Sequence, residues 1–579
     1  MRQDNHWKIK QQREHTAIID GSKSPTLLLK NARYLHPYFK KWLNGHIWIY
    51  EDRIIYVGEK LPENLETCEV VDCKDDWLVP GYIEPHAHPF QLYNPLTLAN
   101  YASQTGTTTL INDNLFLALL NDKKKAFSFL DEMKKLPVSM FWWCRFDSQT
   151  ELFNEESIYS HQTIKAWLER EDVIQAGELT SWPRLLQGDD LLLHWIQETK
   201  RQRKRVEGHF PGASERTLVK LKLLGADADH ESMTGQEVWN RLQHGYSVAL
   251  RYSSIRPDLP NLLKEMKELG IDNYDQIFLT TDGSPPSFSS GGMHDQMIRI
   301  ALDAGISPID AYLMASFNVA RYYQFDHLLG SITTGRLANI NFLRSEKDPT
   351  PHSVLAKGKW VKRNSENTFG EYDIKWSHYG LQPYDSDWEL SMDDLQFSMA
   401  MGIEMVNAVI TKPYSVNLDV SVEELPESQD QCFFMLVDRE GKWKVNTMLK
   451  GFATQLGGFA STFSNSGDII LIGKSKKDLL VACKRMKELG GGIVLTENEE
   501  VIHEIALPLH GIMSDKPMEE LMEEETKLKE LLADRGYRFD EPIYSLLFFS
   551  STHLPYIRIT QQGIFDVMKK MVLFPSVMR

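Results

Sequence analysis

Between about residues 81 and 330 the sequence alternates short apolar runs with helix-like stretches. The apolar runs include TTTLIND, SMFWWCRF, YSVALRY and IFLTTD, and the helix-like stretches include KKKAFSFLDEMKKL and TLVKLKLLGA. Strands that are buried on both faces read as continuous apolar runs, and their alternation with helices is typical of parallel βα units. About 250 residues is the usual size of a (β/α)8 barrel. The segment therefore predicts a TIM-type barrel.

Strand-like runs on both sides of the barrel segment predict a second, β-rich domain. LLLKNARYL, HIWIYEDRIIYVGE and CEVVDC precede the barrel, and GSITTGRLANINFL and PHSVLAKGKWV follow it. Later runs such as GDIILIG and KKDLLVACKRMKELG predict more α/β structure. We predict an α/β fold composed of a polar lead-in at 1–24, a small β-sandwich domain built from 25–80 and 331–370, the barrel at 81–330, a linker at 371–394 and a C-terminal α/β domain at 395–579.

Charge and cysteine content narrow the class of protein. The formal charge is 64 − 80 = −16, whereas a general nucleic-acid binder needs a basic surface to neutralise phosphates. The five cysteines form no CxxC pair and are odd in number, so a disulfide framework is not expected. The polar N-terminus lacks a signal-peptide pattern, and no apolar run is long enough to span a bilayer. We therefore expect a cytoplasmic protein without nucleic-acid or membrane partners, and a homo-oligomer is left open.

His86 and His88 are the first residues that indicate a metal site. They follow the predicted strand WLVPGYIEP, and residues i and i+2 of a strand point to the same face. The pair would lie at the C-terminal end of a barrel strand, where active sites of this fold are built. The alternative is that both histidines lie in a surface loop. The chain has 18 histidines, so an HxH pair can easily arise by chance.

Four later residues favour the metal interpretation: Glu178, His209, His230 and Asp282 each lie near the end of a predicted strand. Each also has an ordinary interpretation, as a helix cap, a loop histidine, a histidine near a helix start or an aspartate before a turn. The discriminating feature is the order HxH, Glu, His, His, Asp within one barrel-sized segment. Four imidazoles and two carboxylates suffice for two divalent ions, with positions left open for water.

Several motifs resemble those of a known superfamily. PGYIEPHAHP resembles the PGxIDxHxH signature of the amidohydrolases, and GSITTGRLANINFL resembles their return strand, with Asn339 where aspartate is usual. Within that superfamily, VEGHFPG, ADADHESMTGQE, LTTDGSPP and LGGGIVLTENEEVIHEIALPLHGIMSD are similar to stretches of the bacterial adenine deaminases. The resemblance runs from about 25 to 579 and weakens between about 120 and 170.

The resemblance implies a reaction and a set of roles. The family reaction is the hydrolysis of adenine to hypoxanthine and ammonia, with two divalent metal ions, usually manganese or iron, and zinc is a further possibility. It implies one metal held by His86, His88, Glu178 and Asp282, and a second held by Glu178, His209 and His230. Asp282 is the candidate that moves the proton. Glu231 is a second acid/base candidate or a contact to a ring nitrogen; a residue at the start of a helix is the alternative.

The sequence departs from the family in three stretches. The usual Glu-Ser-Ser after HxH is replaced by residues 89–92 (PFQL), the usual Asp-Pro-His-Glu by 113–116 (DNLF), and the usual His-Asp-Ser-His-Asn by 464–468 (SNSGD). These changes leave open a modified aminopurine or a cyclic amide as the substrate, or an inactive barrel. In hydantoinases and dihydroorotases a carbamylated lysine often bridges the metals, and Glu178 stands in that place here. If Leu115 and Phe116 face the pocket, they make one side of it apolar.

Overall fold

The structure is a computed structural model that describes residues 7–579. A helix, α1 (Ile9–Ile19), lies within the polar lead-in and buries Ile18. Five strands follow: β1 (Leu27–His36), β2 (Lys41–Tyr50), β3 (Arg53–Gly58), β4 (Glu69–Asp72) and β5 (Trp77–Pro80). The run HIWIYEDRIIYVGE is split between β2 and β3, which pair antiparallel. The turn between them needs a left-handed residue, and Glu51 supplies it with φ of 52°.

Eight parallel strands form the barrel, in sequential order around it. They are β6 (Tyr82–Ala87), β7 (Thr107–Asn112), β8 (Ser139–Cys144), β9 (Val173–Leu179), β10 (Arg205–Gly208), β11 (Ala228–Asp229), β12 (Ser247–Arg251) and β13 (Ile277–Thr280). The carboxylate of Glu84 links the first strand to the last, since it accepts hydrogen bonds from Thr280 Oγ1 at 2.7 Å and Thr281 N at 2.9 Å. These donors satisfy the buried oxygens of Glu84.

Thirteen α-helices and one short 3-10 helix, Pro286–Gly291, occur between β6 and the strands that follow the barrel. The α-helices are α2 (Pro95–Gln104), α3 (Leu115–Leu119), α4 (Lys123–Met133), α5 (Glu155–Ile158), α6 (His161–Leu168), α7 (Trp182–Leu186), α8 (Asp190–Arg201), α9 (Glu215–Leu223), α10 (Gly235–Gln243), α11 (Leu259–Glu268), α12 (His294–Asp303), α13 (Pro308–Met314) and α14 (Phe317–Tyr322). In α11 the buried residues are Leu259, Leu262, Leu263 and Met266, the spacing of one helix face that packs against a core.

Strands β1 to β5 belong to one sheet, called here the first sheet, which is completed by four strands that follow the barrel. These strands are β14 (Ile340–Leu343), β15 (Ser353–Ala356), β16 (Lys359–Arg363) and β17 (Glu366–Asn367). Because β14 pairs with β5, the segment WLVPGYIEP is not the single strand that the sequence suggested. It divides at Gly81 into β5 of the first sheet and β6 of the barrel. A Cβ atom at Gly81 would lie 2.2 Å from Thr108 Oγ1, so this close crossing requires glycine.

The C-terminal part contains a large mixed sheet and a small one. Their strands are β18 (Met401–Met405), β19 (Thr411–Ser415), β20 (Gln431–Val437), β21 (Trp443–Lys450), β22 (Gly458–Ser461), β23 (Ile469–Gly473), β24 (Gly492–Glu497), β25 (Glu500–Ala506), β26 (Ile557–Thr560), β27 (Gly563–Asp566), β28 (Met571–Pro575) and β29 (Val577–Met578). The helices are α15 (Lys476–Glu488), α16 (Met518–Asp534) and α17 (Pro542–Phe548). None of the helices within 7–579 has the length and apolar character needed to cross a bilayer.

Candidate active site

His86, His88 and Asp282 meet at the C-terminal end of the barrel. His86 lies in β6, His88 follows that strand, and Asp282 follows β13. The Nε2 atoms of His86 and His88 are 3.2 Å apart, and Asp282 Oδ1 lies 3.2 and 3.3 Å from them. Asp282 has φ of 50°, a left-handed conformation that aspartate tolerates better than most residues. The next residue is Gly283, where a Cβ atom would lie 2.4 Å from His88 Cβ, so glycine lets the loop pass the imidazole.

Glu178, His209 and His230 form a neighbouring group. Glu178 lies near the end of β9, and the two histidines directly follow β10 and β11. Glu178 Oε1 lies 2.5 Å from His209 Nδ1 and 3.5 Å from His230 Nε2, and these nitrogens are 3.2 Å apart. Glu178 can also group with His86 and His88. The structure thus brings all six residues singled out in the sequence to one end of the barrel, with Glu178 between the two groups.

The spacing of these atoms fits metal coordination. Two atoms that both bind an ion at about 2.1 Å lie about 3.0 to 3.4 Å apart for octahedral to tetrahedral angles. Nδ1 of His86 faces Glu207 and Nδ1 of His88 faces Asp113, each at 2.9 Å, which leaves lone pairs on both Nε2 atoms. Lone pairs 3.2 Å apart repel each other unless a cation lies between them. The donor set and its geometry therefore make these residues candidate metal ligands.

Two buried carboxylates orient the histidines. Glu207 contacts His86 Nδ1 through Oε2 at 2.9 Å and His230 Nδ1 through Oε1 at 3.2 Å, so it serves one histidine of each group. Asp113 serves His88 in the same way. Such partners fix the tautomer that presents the other ring nitrogen to a metal. Burial alone would raise the pKa of Glu207, but the imidazoles outweigh it and lower that pKa to about 2.

Arg145 joins this carboxylate network to Glu178. It follows β8 and is fully buried, with Nη2 2.6 Å from Asp113 Oδ2 and 2.8 Å from Glu178 Oε2. Burial raises the pKa of Asp113, but the charges of Arg145 and His88 outweigh this effect and hold it below its usual range. The guanidinium therefore keeps both carboxylates ionised and limits how Glu178 can rotate.

A second arginine cluster holds Glu231 and Asp282. Arg251 Nη1 lies 2.6 Å from Glu231 Oε1 and 2.6 Å from Asp282 Oδ2, and Arg256 Nη1 lies 3.0 Å from Glu231 Oε2. Burial raises the pKa of Glu231, but the charges around it, Arg251 first, outweigh burial and hold it well below its usual range. A carboxylate held ionised in this way accepts hydrogen bonds and does not donate them.

A cavity of about 330 Å³ lies over the two groups. His88, Glu178, His209 and Asp282 line it together with Glu231, Arg251 and Arg256. The three stretches that depart from the family pattern also reach it, through residues that include Phe90, Gln91, Leu115, Phe116, Ser464 and Asn465. Leu115 and Phe116 do face the cavity, and the rings of Phe90 and Phe116 are 5.3 Å apart. One side of the cavity is therefore apolar, opposite the polar candidate ligands.

The C-terminal part supplies one wall of the cavity. Its contributions include Phe463, Tyr544, Phe548 and His553. Tyr544 donates a hydrogen bond to the backbone oxygen of Gly283 at 3.2 Å, next to Asp282. Burial and the neighbouring charge of His209 lower the pKa of His553 to about 3, so its imidazole is neutral. The barrel alone would leave this cavity open to water.

Several site residues were missed in the sequence. Asp113 and Arg145 end apolar runs in the same way as Asp282, so the strand-end rule that found Asp282 could have found them. Glu207 stands two residues before His209 within the strand, a spacing that places both on one face. No local pattern marks Tyr544 or His553, because their role depends on contacts with residues that lie far earlier in the chain, Gly283 and His209.

Two family models match the chain. One covers the barrel and the other covers the C-terminal part of the cavity lining. The amidohydrolase family model matches residues 77–361, which include the barrel and all six candidate ligands. This match defines the class of protein as an amidohydrolase. The model described as "Adenine deaminase C-terminal domain" matches residues 408–571, which include the residues that close the cavity.

Full-length relatives identify the family. A Bacillus cereus protein with the printed name "Putative adenine deaminase" is 57% identical over 575 residues, covering 99% of this chain and 98% of that protein. A Halalkalibacterium halodurans protein described in the same words is 57% identical over 578 residues, covering 100% of each. A crystal structure of a β-aspartyl dipeptidase from Fervidobacterium islandicum is 16% identical with a TM-score of 0.45, over 60% of this chain and 100% of that one, and supports no conclusion about function. The chain belongs to the adenine deaminase family of amidohydrolases.

Proposed function

We propose that this protein hydrolyses adenine to hypoxanthine and ammonia. The observation that carries the proposal is the convergence of six candidate metal ligands at a cavity that the adenine-deaminase-type C-terminal domain closes. The printed names of the relatives describe the same activity. In this reaction water adds at C6 of the purine and the exocyclic nitrogen leaves as ammonia. The site must therefore activate a water molecule and transfer a proton to the leaving nitrogen.

We infer that the six residues hold two divalent cations, manganese being the first candidate and iron or zinc the alternatives. His86, His88, Glu178 and Asp282 would hold one, and Glu178, His209 and His230 the other. Bound cations would supply Lewis acidity and make hydroxide available near neutral pH. Glu207 and Asp113 keep protons on Nδ1 of three of the histidines, which leaves Nε2 free as the ligand atom.

Asp282 and Glu231 have different roles in this proposal. Asp282 lines the cavity beside His86 and His88, and in this proposal its carboxylate carries the proton from the reacting water to the leaving nitrogen. Glu231 is held by Arg251 and Arg256, and it therefore acts as a fixed acceptor for an N–H group of the purine. Arg251 contacts both carboxylates and sets their separation.

The apolar side of the cavity favours a second candidate substrate, a 6-aminopurine that carries an apolar substituent. Phe90, Leu115 and Phe116 cannot hydrogen-bond ring nitrogens, but they can surround an alkyl group. One buried methylene group in such a wall changes kcat/KM by about 10-fold or more. A cyclic amide also carries N–H donors that Glu231 can accept, so the substrate screen has to separate it from a purine.

The test is a substrate screen with manganese-loaded protein. Adenine, an N-alkylated adenine and a hydantoin are incubated separately. Conversion of the purines is followed by the ultraviolet spectrum and by the ammonia or alkylamine that leaves, and hydantoin ring opening by chromatography of the carbamoyl acid that forms. We expect conversion of adenine to hypoxanthine, and equal or faster conversion of the alkylated base if the apolar wall contacts its substituent. Hydrolysis of the hydantoin alone would overturn the assignment of a purine substrate.

A further inference from the structure

The segment that carries His553 is fixed at both ends by one buried arginine. Arg558 is fully buried, and its guanidinium donates to the backbone oxygens of Phe548 and Pro555 at 3.1 Å each and of Val409 at 2.9 Å. These bonds close the segment into a short loop and attach it to the connection between β18 and β19, which contains Val409. A loop held in this way presents its side chains in one orientation.

The loop is also bound to the barrel. Thr552 N donates to the backbone oxygen of Gln149 at 2.8 Å, and Gln149 in turn reaches Glu178 Oε2 through its side chain at 3.3 Å. The next residue, His553, therefore lies against the candidate ligands. Its ring is 5.5 Å from that of His209 and 6.0 Å from that of Phe548, both in edge-to-face contact.

His553 has an unused polar atom in this position. Its Nδ1 is buried and has no hydrogen-bond partner among the described residues. Burying a polar atom without a partner costs stability, so such an atom in a native structure needs an explanation. His553 does not belong to any of the candidate metal-ligand groups of the described chain. The ring lines the cavity, and rotation of the ring about χ2 can turn this nitrogen toward a molecule bound there.

We propose that His553 is a specificity-determining residue that hydrogen-bonds a ring nitrogen of the purine and so extends recognition of the base into the C-terminal domain. The proposal rests on the proposed function. An imidazole has one donor and one acceptor nitrogen, and the edges of a purine offer both kinds of partner. A site built to hydrogen-bond a substrate atom rejects analogues that lack it, because its own polar atom is then left unpaired.

The test compares purified, manganese-loaded wild type with His553→Phe, which keeps an aromatic ring but no polar atom, and with His553→Asn, whose amide lies near the position of Nδ1. His503→Phe is the matched control, since His503 lies in β25, donates to the backbone oxygen of Glu524 in α16 and does not line the cavity. For each protein we measure kcat and KM for adenine, inhibition constants for 1-, 3- and 7-deazaadenine, and bound metal.

We expect His553→Phe to keep its metal and lose about 10- to 100-fold in kcat/KM, the effect of one hydrogen bond in a desolvated site. Wild type should bind one of the three deaza analogues more weakly than the others, His553→Phe should lose this discrimination, and His553→Asn should regain part of it. Unchanged discrimination in His553→Phe, or loss of metal in parallel with activity, would overturn the role of His553 alone. A wild-type protein that neither converts adenine nor binds any of these bases would overturn the proposed function as well.

Discussion

Glu207→Gln is the substitution that tests the histidine orientation most closely. Glu207 accepts from His86 Nδ1 through one oxygen and from His230 Nδ1 through the other. A glutamine has the same shape but only one acceptor oxygen, so its amide N–H must face one of the two imidazoles. That imidazole must then carry its proton on Nε2, the atom aimed at the metal. Either orientation of the amide therefore disables one ligand.

The expected loss of metal affinity follows from what a hydrogen-bond partner of a metal ligand contributes to binding. Loss of one hydrogen-bond partner of a metal ligand typically weakens metal affinity by 10- to 100-fold, or about 1.4 to 2.7 kcal/mol. Because Glu207 serves both ligand groups, we expect the upper end of that range. The assay is a manganese titration against a chelator buffer, with bound metal and activity followed together.

The control for this substitution is Glu215→Gln, a charge change at an exposed glutamate of α9 whose side chain is 63% accessible. We expect it to bind manganese like wild type, while Glu207→Gln regains activity only at raised manganese concentration. Wild-type affinity in Glu207→Gln would refute the argument that Glu207 sets the tautomers of both histidines.

Two further substitutions test the candidate ligands. The double variant His86→Ala/His88→Ala should lose bound metal and activity together. Full metal content, measured by elemental analysis, would contradict the assignment of these histidines as metal ligands. Asp282→Asn should fold, because asparagine tolerates φ of 50° and Arg251 keeps Glu231 as a partner, at a cost of about 1 to 3 kcal/mol in the free energy of unfolding. Its kcat should fall by about 10³-fold through loss of proton transfer and a metal contact, and near-normal turnover would remove Asp282 from the mechanism.

The barrel was predictable because its signal is local and repeated. Each strand is a short apolar run followed by a helical stretch, and the polar residue that ends a run lies at the C-terminal rim of a parallel barrel. This rule placed Glu178, His209 and Asp282 correctly at one end of the barrel before any contact was known. The same rule was applied to His230, although the strand before it, β11, has only two residues, Ala228–Asp229.

The residues that could not be predicted depend on distant contacts. Glu207 reads as part of a strand, and its function appears only when His86 and His230 are seen on either side of it. In the sequence, Asp282 stands before a turn at the end of an apolar run, and nothing there indicates burial. It is in fact buried and paired with Arg251, so its replacement carries a cost in stability. His553 lies more than 300 residues further along the chain than His209, and no periodicity carries information over that separation.

The central claim is that the six candidate ligands form a two-metal site that deaminates adenine. The most direct measurement is the rate of hypoxanthine formation by metal-free protein as manganese is added in known molar ratios. We predict no conversion without metal, a rise in rate as manganese is added, and a plateau at two ions per chain. Conversion in the metal-free protein, or no conversion of adenine at any manganese ratio while two ions are bound, would contradict the account.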